Sequence, residues 1–286
     1  MSTPRAVSVP ESIQVEPVTT SRGRFAAHRC RPAGAAQGAV LLLPGFTGSK
    51  EDFTPLLPLL AGRGWDTVTY DQRGQYETPA ALDGDYSLDS FAADARAVAD
   101  VLGGTEHAVH LVGHSFGGLV AQAAALTSPA RWSSLTLLCS GPGGFAEAGK
   151  RHDLEAVVHL LQTRSLDEVH EAIVEGERRR GIAPPEAPIA AFLRARYVAN
   201  DRDSLVAIAG HLLDAPDRVD AVAALGLPRA VVRGVDDTAW AHDVQTDMAY
   251  RLGVEVVLVH GAAHSPAVEN PGVLARALGD FFAGCQ

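Results

Sequence analysis

Ser115 lies in the run Gly113-His114-Ser115-Phe116-Gly117, and Gly118 follows it. This G-x-S-x-G spacing suits a serine on a tight turn between a strand and a helix. Its Oγ stands clear of the backbone, and glycines flank it where side chains would collide. The helix opening behind it presents N–H groups to developing negative charge. A serine hydroxyl is a weak nucleophile at neutral pH. It needs a base within hydrogen-bond reach and a carboxylate that orients the base. The chemistry these residues could do is acyl transfer through a covalent intermediate.

Among the histidines after Ser115, His152, His159, His170 and His211 fall in helical patterns, and His242 opens a helix. His260 and His264 follow the last strand pattern, in Val259-His260-Gly261-Ala262-Ala263-His264-Ser265-Pro266. His260 is near the strand end. His264 lies on the loop beyond, at the carboxyl edge of a sheet, and is the expected base. The carboxylate belongs on the loop after the preceding strand, which ends Val231-Val232-Arg233-Gly234-Val235-Asp236-Asp237. Residue type leaves both aspartates open, since one of them could cap a helix or make a turn.

The elements that must position these residues read as α/β, with a mostly parallel central sheet flanked by helices. Residues 13–20 and 24–31 read as strands around the turn Ser21-Arg22-Gly23. Residues 38–43 are almost wholly apolar, as in a strand buried on both faces. A helix is expected over 51–64 and a strand over 65–70. Ser87 is a plausible N-cap for a helix with the stripe Leu88, Phe91, Ala95, Val98 and Leu102, stopped by Gly103-Gly104. Strand 107–112, helix 116–126 and strand 133–140 follow. The alternation then breaks. Residues 145–224 offer helical patterns only, at 153–164, 166–179, 187–200 and 204–214. Strand 228–232, helix 243–252, strand 254–259 and a helix from Pro271 resume the rhythm. The expected organisation is a core of residues 1–144 and 225–286 carrying a helical cap insertion, 145–224, as a lid over Ser115.

These motifs together resemble the α/β-hydrolase superfamily, in its cap-bearing branch of small esterases, lactonases and cofactor-free haloperoxidases. The family's acid stands three residues after a glycine, which implies Asp237 after Gly234. Its terminal pattern is similar to Gly261–His264 followed by Glu269-Asn270-Pro271. The oxyanion loop resembles Pro44-Gly45-Phe46-Thr47-Gly48, which implies the backbone N–H groups of Phe46 and Phe116 as the oxyanion hole. Asp71-Gln72-Arg73-Gly74-Gln75-Tyr76 resembles D-x-R-G-x-G. Three positions depart from the pattern. Pro44 replaces a common histidine, Tyr76 a glycine, and Ala263 a frequent glycine.

The resemblance implies a serine hydrolase that cleaves a small-molecule carboxylic ester or lactone through an acyl-enzyme, with no metal or organic cofactor. Perhydrolysis or haloperoxidase-like activity, thioester cleavage and C–C hydrolysis would use the same site. A ligand receptor on this scaffold would keep the residues and turn over little.

Composition narrows the partners. A net charge of -10 argues against nucleic acid, whose phosphates require a basic face. No apolar run is long enough for a membrane span, and residues 1–17 lack the apolar core of a secretory signal. Cys30, Cys139 and Cys285 form no CxxC pair. The reading is a cytoplasmic protein with reduced thiols. Gly144–Lys150 nearly spells a phosphate-binding loop, but Arg151 stands where a Ser or Thr would bind Mg²⁺. Gly141-Pro142-Gly143 lacks the βαβ continuation of a dinucleotide site.

Overall fold

The alternating apolar runs become one twisted sheet. The structure is a computed structural model that describes residues 2–103 and 108–285. Its strands are β1 (Gln14–Val15), β2 (Val18–Thr20), β3 (Gly23–Phe25), β4 (Ala27–Cys30), β5 (Gly38–Leu43), β6 (Trp65–Tyr70), β7 (Val109–His114), β8 (Trp132–Leu138), β9 (Arg229–Gly234) and β10 (Val256–Val259). Eight of them form the sheet, in the order β1-β4-β6-β5-β7-β8-β9-β10. β4 pairs antiparallel with β1 and β6, and the remaining pairings are parallel. β2 and β3 form a separate hairpin.

The helices are α1 (Leu57–Ala61), α2 (Leu88–Gly103), α3 (Phe116–Thr127), α4 (Ala148–Thr163), α5 (Leu166–Arg179), α6 (Ala187–Val198), α7 (Arg202–Asp214), α8 (Val219–Ala223), α9 (His242–Arg251), α10 (Pro266–Glu269) and α11 (Pro271–Ala283). β5 shows why both faces are covered. Leu41 and Leu43 join an apolar cluster with α2, α3 and α9, while Val40 and Leu42 join a second with α1 and α11. Side chains alternate across a strand, so one apolar strand feeds two cores. Phe91 of α2 meets Phe116 of α3 edge-on at 5.3 Å, both fully buried, each contributing about 1.5–3 kcal/mol by burial.

The order of strands fixes where a site can form. From β5 the chain crosses to β6 on one side and later to β7 on the other. Loops leaving β5 and β7 therefore diverge and open a crevice at their carboxyl ends.

Several sequence expectations change in detail. The expected strands 13–20 and 24–31 each split between the sheet and the hairpin. The helix expected over 51–64 is a 3₁₀ turn at Lys50–Phe53 followed by the short α1. Pro55 and Pro58 lack the N–H groups that a continuous helix would need there. α8 and α10 were not anticipated. Gly104, expected to stop α2, and His107, expected to open β7, lie outside the described residues.

Residues 148–223 form five helices between β8 and β9. Leu154 of α4, Ile208, Ala209 and Leu212 of α7, and Val219 and Val222 of α8 belong to the large apolar cluster of the sheet. A separate small cluster joins Leu161, Val169, Tyr197 and Leu205, with Phe46 packed against it. Part of this segment is thus built into the main core. Among the described residues, no helix is long and apolar enough to cross a membrane.

Candidate active site

Ser115 follows β7 and opens α3, on a turn with φ 55° and ψ -121°. A non-glycine residue there costs on the order of 1–3 kcal/mol and persists only where the surroundings enforce it. The surroundings here do. The Ser115 N–H donates to the Leu138 carbonyl at 2.9 Å, and the Ser115 carbonyl accepts from Gly118 N–H at 2.9 Å and from Ser140 Oγ at 2.8 Å. The flanking glycines are steric necessities. A Cβ on Gly113 would overlap the Gly117 carbonyl, and one on Gly117 would overlap the Leu43 carbonyl. Ser115 is 8% exposed.

The loop after β9 delivers Asp237 and the loop after β10 delivers His264. His264 Nδ1 donates to Asp237 Oδ1 at 2.8 Å. The Ala239 N–H reaches the same oxygen at 3.0 Å, and Gln245 Nε2 of α9 donates to Oδ2 at 3.0 Å. Burial pushes the Asp237 carboxyl up, but the His264 hydrogen bond and charge, with Ala239 and Gln245, outweigh it and hold the pKa at about 2. The carboxylate is ionised and buried. Asp236 is exposed, and its N–H donates to the Ala262 carbonyl at 3.1 Å. The aspartate facing His264 is therefore Asp237. His260 is exposed.

The Glu269-Asn270 pair holds the histidine loop. Glu269 Oε2 accepts from Ala263 N–H at 2.6 Å and Ser265 N–H at 3.2 Å, and Asn270 Nδ2 donates to the His260 carbonyl at 2.8 Å. His114 adds a link from the serine side. Its Nε2 donates to the His264 carbonyl at 2.6 Å. Burial and the neighbouring His264 push the His114 pKa down to about 3, so it stays neutral. The Ser115 hydroxyl makes no hydrogen bond among the described residues. Serine–base contacts often tighten only when substrate binds.

The loop after β5 carries Phe46. Two glutamines of the Asp71–Tyr76 run, given no role in the sequence reading, anchor it. Gln72 Nε2 donates to the Pro44 carbonyl at 3.0 Å, and Gln75 Nε2 to the Gly45 carbonyl at 2.9 Å. The D-x-R-G-x segment therefore supports this loop. Arg73 in it pairs with Asp94 through two contacts, at 2.6 and 2.7 Å. Tyr76, standing where glycine is usual, has φ 40°, the left-handed conformation glycine adopts freely. Its ring packs edge-on against Phe192 of α6 at 5.9 Å. Lys50 is buried beside it and touches Asp71, Glu51 and Glu77 at 3.0, 2.9 and 2.6 Å. Burial works against its charge, but the three carboxylates outweigh burial and raise its pKa.

Donor atoms of His114, Cys139 and His264 lie within 4.8 Å of one another. Each residue also has a protein partner. His264 Nδ1 is on Asp237, His114 Nε2 is on the His264 carbonyl, and Cys139 Sγ lies 3.7 Å from the Ala263 carbonyl. The donor set is that of a packed hydrogen-bonded cluster.

The sheet order, the strained serine turn and the pairing of buried Asp237 with part-exposed His264 define a class, and comparison with known proteins agrees. The chain belongs to the alpha/beta hydrolase fold family, whose model matches residues 38–277. It is similar to the putative carbamate hydrolase RutD of Variovorax paradoxus, 31% identical over 262 residues, covering 87% of this chain and 94% of that protein. Its fold is similar to a thermophilic esterase from Thermogutta terrifontis, with TM-score 0.75 and 20% identity over 95% of this chain and 99% of that one. It is also similar to a mutant of the N-acyl homoserine lactonase AidH complexed with N-hexanoyl homoserine lactone. There the TM-score is 0.74, at 21% identity over 96% of this chain and 99% of that one.

Proposed function

We propose that this protein hydrolyses a carboxylic ester or lactone through an acyl-enzyme on Ser115, with His264 as base and Asp237 as its orienting carboxylate. The observation that carries the reading is the 2.8 Å hydrogen bond from His264 Nδ1 to a buried, ionised Asp237, beside a serine held at positive φ. Nδ1–H facing Asp237 leaves Nε2 unprotonated, as a base requires. Ser115 Oγ attacks the acyl carbonyl while His264 Nε2 takes its proton. The same imidazolium then protonates the leaving alkoxide, and a water activated by His264 releases the acid. The Phe46 and Phe116 amides are assigned to the oxyanion. Phe116 opens α3, where first-turn N–H groups have no intrahelical partner, and Phe46 sits on the loop pinned by Gln72 and Gln75. Residues 145–224 act as the cap, and the small apolar cluster of α4 to α7, against which Phe46 packs, shapes the acyl pocket. The small-molecule substrate needs no metal or organic cofactor in this scheme.

The reading is tested by turnover on a panel of acyl esters, lactones, thioesters and carbamates of graded chain length. The carbamate is included because the Variovorax relative bears that name. Ester or lactone turnover is expected to lead, and failure of all of them would reject the proposal. The pH profile checks the base. His264 must be neutral to accept the serine proton, whereas Asp237, held at about 2, stays ionised throughout. On the acid side kcat/KM should fall through one protonation, that of an imidazole, with no carboxylate ionisation contributing above about pH 3. EDTA should leave the rate unchanged. A limb with thiol character, or activity lost to EDTA and restored by a divalent ion, would contradict the scheme.

A further inference from the structure

The second chemically loaded feature is a buried guanidinium beside the histidine loop. Arg196 of α6 is fully buried. Its Nη1 donates to Asp52 Oδ1 at 2.7 Å and approaches Ser49 Oγ at 3.4 Å. Its Nη2 donates to the main-chain carbonyl of Ser2 at 2.8 Å. Its Nε has no partner among the described residues. Ser2 Oγ meets Ser265 Oγ at 2.8 Å, and Ser265 directly follows His264. Ser2, Asp52, Phe53, His114, Ser265 and Ala267 line one small gap that Ser2 helps to close; His114 precedes Ser115 and Ser265 follows His264, so the gap borders both the serine turn and the histidine loop.

We propose that Arg196 and Ser265 form a subsite for a neutral carbonyl group of the substrate, an amide set apart from the scissile bond, and that the chain's own Ser2 occupies it in this structure. The inference rests on the ester or lactone hydrolysis proposed above. Three features carry it. Asp52 already balances the Arg196 charge, so the remaining guanidinium edge suits a neutral oxygen better than a carboxylate. The present occupant is itself an amide carbonyl. A buried guanidinium with an unpartnered Nε still has donor capacity on that side, and donors left unpaired there favour a ligand that supplies an acceptor. An amide adds an N–H, for which the Ser265 hydroxyl is an acceptor.

Ser2 is buried. Its partners are Arg196 and Ser265, and three residues on Arg5 Nη2 donates to the Glu269 carbonyl at 2.6 Å. Substrate displaces this strap to reach Arg196. Residues 2–5 thus compete with the acyl chain and raise KM.

The test measures binding apart from turnover. Calorimetry on the Ser115→Ala protein compares two acyl esters of equal length, one with an amide in the acyl chain and one with methylenes in its place. The amide ester should bind about tenfold more tightly. Deleting residues 2–5 should tighten its binding a further several-fold. Arg196→Gln should bring the ratio of the two affinities close to one, and Ser265→Ala should lower it. The deletion and Ser265→Ala keep the test open if Arg196→Gln fails to fold. Equal affinities for the pair, no binding of either, or no change on deletion would overturn the subsite. A retained preference in a protein that turns over no ester would leave the subsite standing and count against the serine scheme instead.

Discussion

Ser115→Ala should lower kcat for the preferred ester by about a millionfold, with binding largely kept. The loss is large because serine and base act as one unit. Without Oγ there is no covalent intermediate, and His264 has no proton to take. What survives is the residual effect of binding and the oxyanion amides. The fold should not suffer, because the turn is enforced by its backbone bonds to Leu138, Gly118 and Ser140 and not by the hydroxyl. Single-turnover kinetics on purified protein with an unchanged circular dichroism spectrum checks this. Near-normal hydrolysis by the mutant would reject Ser115 as the nucleophile.

The second large effect separates two adjacent aspartates. Asp237→Asn should cost on the order of a thousand- to ten-thousandfold in kcat, and Asp236→Asn no more than a few-fold. The asparagine amide has two ways to sit, and neither is good. With its NH₂ toward His264, it opposes the Ala239 N–H and forces the imidazole into the tautomer that points Nε2–H at Ser115. With its NH₂ toward Gln245, that side chain must flip, which sets Gln245 Oε1 against the Ser140 carbonyl that its Nε2 now approaches at 3.3 Å. In both, the anion that stabilises the imidazolium is gone. Asp236 is exposed and contributes its backbone N–H, which asparagine keeps. Steady-state kinetics on the two variants decides. A crippled Asp236→Asn beside an active Asp237→Asn would reverse the assignment.

These two predictions show what was legible in the chain. The serine turn was readable because its glycines answer a local steric demand, visible over five residues. The loop position of His264 was readable from the last strand pattern, and the structure brings it to Asp237. Asp236 and Asp237 were not separable by residue type. The choice between them depends on the Asp236 N–H reaching Ala262 and on Gln245 arriving from α9, which are matters of tertiary geometry. The mostly parallel sheet followed from alternation of element types, but its strand order, and the crevice that order opens, came from the structure; the helix expected over 51–64 gave way to the short α1, because Pro55 and Pro58 interrupt it. Arg196 was invisible for a different reason. Its partner Asp52 is 144 positions away, and a lone arginine on a helix carries no local sign of burial. The roles of Gln72 and Gln75 were equally hidden, since each grips a carbonyl across a loop about thirty residues upstream.

The most direct measurement is covalent labelling with a serine-directed phosphonate, read by intact mass and peptide mapping. One adduct per chain is expected, on the peptide holding Ser115. Ser115→Ala should take up no label, and His264→Ala should be labelled far more slowly, because the hydroxyl then lacks its base. Loss of hydrolysis should keep pace with labelling. An adduct on another residue, or full hydrolysis in protein whose Ser115 is already modified, would contradict the serine mechanism outright.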